Sequence, residues 1–228
     1  MTGLLFGCAV LSAAVEWAAV FKGWRRLEYV AKPGVMAFLF AWFAQNVAGA
    51  GLQWPLIWFG AGILLSLVGD IFLLFSNERR WFLFGLGAFL LAHVAYIFGL
   101  NTPLQPFNGM TFGVAVMVGL SALPVVRRIL FSMSQKRLRR LVGAVRVYAA
   151  VISLTLFSAL MTLFRVDWLS TPAYLASGGA LLLVASDMVL GWNKFVNPVR
   201  RGRLVLMISY HLGQMALIAG AVGQFARG

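Results

Sequence analysis

Two aspartates stand in runs that are otherwise apolar. Asp70 interrupts Leu67-Val68-Gly69-Asp70-Ile71-Phe72-Leu73-Leu74, and Asp187 interrupts Val184-Ala185-Ser186-Asp187-Met188-Val189-Leu190, which repeats the pattern small-Asp-x-x-Leu. A carboxylate near the centre of a membrane helix costs about 2.5–3.5 kcal/mol on insertion scales, so each needs a functional or pairing reason. A histidine follows each aspartate at nearly the same interval, His93 after Asp70 and His211 after Asp187. Two carboxylates in a partly desolvated pocket divide the roles of acid and base. That division suits reactions with an oxocarbenium-like intermediate, in which one group donates a proton and the other supports the cation or activates water. A vinyl ether hydrolyses this way: its β-carbon is protonated, water adds to the alkoxycarbenium ion, and the hemiacetal collapses to an aldehyde. Asp70, Asp187, His93 and His211 also have the ligand types of a metal site, but no H-x-x-H or H-E-x-x-H spacing accompanies them. Ser186 adjoins Asp187 without a G-x-S-x-G elbow, and reads as a packing residue or hydrogen-bond partner rather than a nucleophile.

The elements that must position these residues follow from composition. The chain is 61% hydrophobic, with only 11% charged residues and a mean hydropathy of +0.88, against about 45–50% apolar for a soluble domain, so it reads as a polytopic membrane protein. Taking about 20 apolar residues per span, eight segments qualify: 3–21, 33–50, 55–75, 81–100, 109–126, 143–164, 172–193 and 204–225. The expected fold is an all-α bundle of eight transmembrane helices forming a single integral membrane domain over residues 1–228, with the first helix retained. The net charge of +13 does not point to nucleic acid, because Lys and Arg fall between the spans. They gather in alternate loops (Lys22, Arg25, Arg26 and Lys32; Arg79 and Arg80; Arg127 to Arg140; Lys194 to Arg203), leaving Arg165 and Arg227 on the other side. By the positive-inside rule both termini face away from the cytoplasm. One cysteine, Cys8, rules out an intramolecular disulfide. No proline reads as mid-span, and Gly109-x-x-x-Gly113 and Ala219-x-x-x-Gly223 are small-residue pairs that let helices approach.

The Asp–His spacing suggests a parallel repeat of two four-helix units, residues 1–108 and 109–228, with the Asp on the third helix of each and the His on the fourth. A rise of 1.5 Å per residue sets Asp70, Asp187, Glu16 and His211 roughly 7–12 Å from the cytoplasmic helix ends, with His93 deeper and Tyr96 one turn beyond it. Tyr210 and Gln214 share a face at i and i+4. Such a polar layer implies a central cavity opening toward the cytoplasm.

Lys32-Pro33, Gly69-Asp70-x-x-Leu73, Ala92-His93-x-x-Tyr96, Tyr148, Ser186-Asp187-x-x-Leu190 with Phe195, and Tyr210-x-x-x-Gln214 together resemble the YhhN family of membrane proteins, which includes the lysoplasmalogenases. The resemblance spans essentially the whole chain; Ala92 departs from the glycine expected before the histidine. It implies hydrolysis of the vinyl ether of a lysoplasmalogen to a fatty aldehyde and glycerophosphocholine or glycerophosphoethanolamine. By that resemblance Asp70 and Asp187 would be the catalytic carboxylates and Lys32, His93, Tyr148, Tyr210 and Gln214 pocket residues; Tyr96, Ser186, Asn193, His211 and Glu16 are also expected against the substrate, Glu16 and His211 from their place in the polar layer. No cofactor or metal is implied, and the expected partners are a lysophospholipid and membrane lipids. The headgroup phosphate is expected at the basic mouth, near Lys32 and Lys194. A bacterial inner membrane is the expected location. Paired acids and histidines in a duplicated bundle also fit a proton-coupled small-molecule or lipid transporter.

Overall fold

The computed structural model describes residues 2–75, 79–104, 106 and 108–226; the loop charges counted at Arg79 (its side chain) and Arg227 lie outside that description. Among the described residues eight α-helices follow one another: α1 Thr2–Lys22, α2 Arg25–Ala50, α3 Trp54–Leu74, α4 Arg79–Leu100, α5 Gly109–Gln135, α6 Arg139–Met161, α7 Ser170–Phe195 and α8 Gly202–Phe225. A single 3-10 turn, Thr162–Phe164, extends α6. No strand occurs among the described residues, and all eight helices are long and apolar enough to cross a membrane. The chain is an integral multi-pass membrane protein.

Several helices outrun their apolar segments. Hydropathy marks where the chain is lipid-soluble, whereas Arg, Lys, Leu and Ala sustain a helix beyond that limit. Thus α2 begins at Arg25, α5 continues through Arg127 and Arg128 to Gln135, and α6 starts at Arg139. The basic fifth loop shrinks to three residues, 136–138, with Arg137 at φ 57°. One consequence corrects the reading of the prolines: Pro33 lies inside α2 and Pro124 inside α5. Between α1 and α2 only Gly23 and Trp24 intervene, and Gly23 turns the chain at φ 73°, a region glycine enters without a Cβ penalty. At the other end of the bundle, Asn108 caps α5 by accepting the Thr111 amide while the Thr111 hydroxyl accepts the Asn108 amide.

Sequential hairpins α1–α2, α3–α4 and α7–α8 pack most extensively, and α8 lies at the centre against α1, α2, α3 and α7. The α7–α8 contact is a backbone approach. A Cβ on Gly179 would stand 2.4 Å from the Leu217 amide nitrogen, and one on Gly220 would stand 2.7 Å from the Pro172 carbonyl. Membrane helices pack through such small residues because lipid offers no hydrophobic drive for association. Gly109 and Gly113 do not serve this purpose: a Cβ on either would meet nothing within 4 Å. The main core includes Met36, Leu39, Phe59, Ile63, Leu217 and Ile218, and a smaller cluster joins Phe82, Ile129, Met133 and Phe195.

Candidate active site

Asp70 sits on α3, where α2 and α8 close over it. The Lys32 Nζ approaches its Oδ1 to 3.2 Å, and the Tyr210 hydroxyl donates to its Oδ2 at 2.8 Å. Aspartate and lysine are 1% and 3% exposed, so this is a sealed ion pair with a hydroxyl completing it. Facing one ammonium and one hydroxyl donor, Asp70 has an acceptor-only role, which suits an ionised carboxylate. One turn deeper, the Tyr96 hydroxyl donates to Gln214 Oε1 at 2.7 Å, and Gln214 Nε2 donates to Ser66 Oγ at 3.0 Å. That chain fixes α3, α4 and α8 to one another.

Asp187 sits on α7 and meets α4 and α6. His93 Nε2 lies 3.0 Å from its Oδ2, and His93 Nδ1 lies 3.1 Å from Thr155 Oγ1. The Thr155 hydroxyl donates to the Val151 carbonyl at 3.1 Å, which leaves its oxygen to accept from Nδ1–H. The 3.0 Å Nε2–Oδ2 contact is a hydrogen bond between imidazole and carboxyl, a path along which a proton can pass from one to the other. The Tyr148 hydroxyl feels the Asp187 charge, yet it is buried without a hydrogen-bond partner among the described residues. Asp187 is 13% exposed.

The two centres have the same plan. Each aspartate is on the third helix of a four-helix half; it takes one neighbour from the second helix of that half (Lys32, Tyr148) and one from the fourth helix of the other (Tyr210, His93). In this arrangement the counterpart of His93 is Tyr210, not His211.

Asp187 and Asp70 do not line one cavity. A narrow apolar cavity of about 50 Å³ between α4, α5, α6 and α7 is lined by Asp187 and Tyr148 together with Leu86, Ile129 and Ile152. A second, roomier cavity of about 360 Å³ is lined by Arg25, Glu28, Lys32, Lys194 and Arg203. Phe82 and Leu190 belong to both walls. Asp70 is behind Lys32, and Lys32 is drawn inward to it rather than standing at the mouth. Glu16 and His211 lie apart from both cavities and are completely buried; Trp17 Nε1 donates to His211 Nδ1 at 3.1 Å, and His211 Nε2 lies 3.0 Å from Glu16 Oε2, out of line for a hydrogen bond. Ser186 donates to the Leu206 carbonyl, tying α7 to α8. Asn193 accepts the Val199 amide and shapes the α7–α8 connection, away from either cavity.

Thr155, Ser66 and Trp17 escape sequence reasoning because a threonine, serine or tryptophan in an apolar helix is ordinary. Arg203 was legible only as a loop charge, and its partner Glu28 went unmarked among the cations of the first loop. Arg165 is the exception: a cation on the side the loop charges leave nearly bare, it donates to the Leu100 and Thr102 carbonyls and to Asp167, closing the end of α4. The Arg165 guanidinium holds Asp167 below the usual carboxylate range. Among the described residues, no group of three or more His, Cys, Asp or Glu converges as metal ligands would.

Residues 27–221 match the family model described as the YhhN family. Curated relatives include lysoplasmalogenase TMEM86B of Sus scrofa, 35% identical over 71% of this chain and 62% of the relative. Lysoplasmalogenase TMEM86A of Homo sapiens is 34% identical over 71% and 63%. A lysoplasmalogenase of Mycobacterium bovis is 29% identical over 72% and 59%. The chain thus spans a little under two thirds of the length of these relatives. No solved structure matches.

Proposed function

Because the chain belongs to the YhhN family, we propose that it hydrolyses the vinyl ether of lysoplasmalogens, releasing a fatty aldehyde and a glycerophospho-headgroup. The observation that carries this reading is Asp187, hydrogen-bonded to His93 and lining a narrow apolar cavity beside a cation-lined one. The substrate has the same layout: an apolar chain, a polar phosphate end, and the reactive bond between them. Its headgroup lies in the cation-lined cavity, and its chain enters along the narrow apolar one, with α4, α5, α6 and α7 spreading and Phe82 and Leu190 parting to admit it.

Asp187 is then the acid. The proton held between it and His93 passes to the β-carbon of the vinyl ether, and the carboxylate left behind faces the alkoxycarbenium ion. Water adds to the oxygen-bearing carbon and gives up a proton, and the hemiacetal breaks to aldehyde and glycerol hydroxyl. The Asp187 carboxylate takes the proton of that water and is restored as the acid, while the Asp70 charge, sealed beside Lys32, supports the cation from outside the cavity. His93 and Tyr210 orient the two carboxyls, and Tyr148 stands beside Asp187 on the cavity wall; Tyr96 and Gln214 brace the helices that carry them, and Ser186, Asn193 and the Glu16–His211 pair act from further away. General acid–base catalysis of this kind is worth about 10²–10⁴ in rate.

The shared plan of the two aspartate centres supports a parallel repeat of residues 1–108 and 109–228 within one domain, and the loop charges support termini outside the cytoplasm, in a bacterial inner membrane. The test is aldehyde release by the purified chain in detergent, across vinyl ether and ester lysolipids. Release from the vinyl ethers alone is expected. No aldehyde from any vinyl ether, or uptake into sealed vesicles without product, would overturn the reading and favour a carrier.

A further inference from the structure

We infer that the cavity between α2 and α8 is a zwitterion site for a phosphate bearing a primary ammonium group, in which Glu28 reads the amine. This names the headgroup class for the proposed reaction and rests on that reading for its lipid. Among the described residues five charged side chains line the cavity, and Glu28 is the one acid beside Arg25, Lys32, Lys194 and Arg203. Three of the cations have occupations. Lys32 is bound to Asp70, Lys194 lies 4.4 Å from the centre of the Phe82 ring, and Arg203 is paired with Glu28. The Glu28–Arg203 pair straddles the mouth, since the glutamate side chain is 8% exposed and the arginine 59%.

An arriving phosphate competes for the exposed guanidinium, whose planar donor fork matches phosphate oxygens. Taking Arg203 alone would leave the nearly buried Glu28 carboxylate without the hydrogen-bond donor it now has, which is unfavourable. A headgroup that brings its own ammonium removes that cost: phosphate goes to Arg203, ammonium goes to Glu28, and one ion pair becomes two. A phosphomonoester without an amine cannot make the exchange. A quaternary choline carries the charge but no N–H to donate to the carboxylate, whereas a primary ammonium makes a charge-assisted hydrogen bond. The order of preference is therefore phosphoethanolamine, then phosphocholine, then bare phosphate.

The experiment uses the full chain in detergent and reads ligand binding by tryptophan fluorescence. The probes are lysophosphatidylethanolamine, lysophosphatidylcholine and lysophosphatidic acid, ester lipids that need no turnover to report. Wild type should bind the ethanolamine lipid about tenfold more tightly than the other two, the scale of one charge-assisted hydrogen bond. Glu28→Gln should shrink that gap to under about threefold, Glu28→Asp should keep the order, and Arg200→Gln, an exposed charge change outside the cavity, should leave it intact. Competition separates headgroup from chain: soluble glycerophosphoethanolamine should displace the lipid and inorganic phosphate should not. Equal binding of the three lipids by wild type, an unchanged order in Glu28→Gln, or phosphate competing as well as glycerophosphoethanolamine would each overturn the inference. Absence of aldehyde release with the headgroup order intact removes the proposed reaction and leaves this site standing.

Discussion

Asp70 and Asp187 occupy corresponding places in the two halves of the bundle, yet they live in opposite surroundings. Asp70 is shut in by an ammonium and a phenol, with almost no exposed surface. Asp187 keeps a histidine, an unpartnered phenol and an opening onto an apolar cavity. The difference lies in the neighbours on the second and fourth helices. Lysine beside Asp70 makes an ion pair, which holds a charge in place; histidine beside Asp187 makes a hydrogen bond along which a proton can pass. Similar placements of an aspartate thus give a sealed ion pair on α3 and a hydrogen-bonded carboxyl–imidazole pair on α7.

The sharpest way to break this comparison is to remove the acid. Asp187→Asn should lower aldehyde release by about 10³-fold, within the range of a lost general acid, and leave the thermal midpoint within a few degrees. Full activity would take Asp187 out of the chemistry. Asp70 should behave differently, because its loss is also a loss of structure: Asp70→Asn and Lys32→Met should each cost about 3–5 kcal/mol of stability, as broken buried ion pairs do. The double variant Asp70→Leu with Lys32→Met should recover most of that stability while remaining inactive. If the two single changes simply add, the pair is not coupled. Thr155→Val tests whether the threonine sets the proton on His93 Nδ1. It should cost about 1–2 kcal/mol, one buried hydrogen bond left unmade, and move the pH profile of kcat with little change in KM.

The smallest effect belongs to Asp167, an acid outside the spans that serves as the exposed reference. Its carboxyl is held low by Arg165, so the pair stabilises the fold above the unfolded aspartate pKa near 4, and that contribution fades as pH falls through the lower folded value. Comparing thermal midpoints of wild type and Asp167→Asn down to acid pH should reveal a gap of at most about 1 kcal/mol, as for exposed pairs.

What sequence alone determined was the medium, the number of spans and the residues that must be explained. A run of about 20 apolar residues has one stable place in a bilayer, and a carboxylate within it has a cost that marks it out. Asp70, Asp187, His93, Tyr96, Tyr210 and Gln214 were all visible on that ground, and each meets another of these residues or a buried partner in the structure. Helix ends were not visible, because arginine and lysine leave the membrane without leaving the helix. Only the tertiary structure decided the pairing. Which helix faces which, and so whether Lys32 seals Asp70 or waits at the mouth, depends on backbone approaches such as Gly179 against Leu217, between residues far apart in the chain. Hydropathy carries no term for such contacts, and the separation of one acid from the other follows from them.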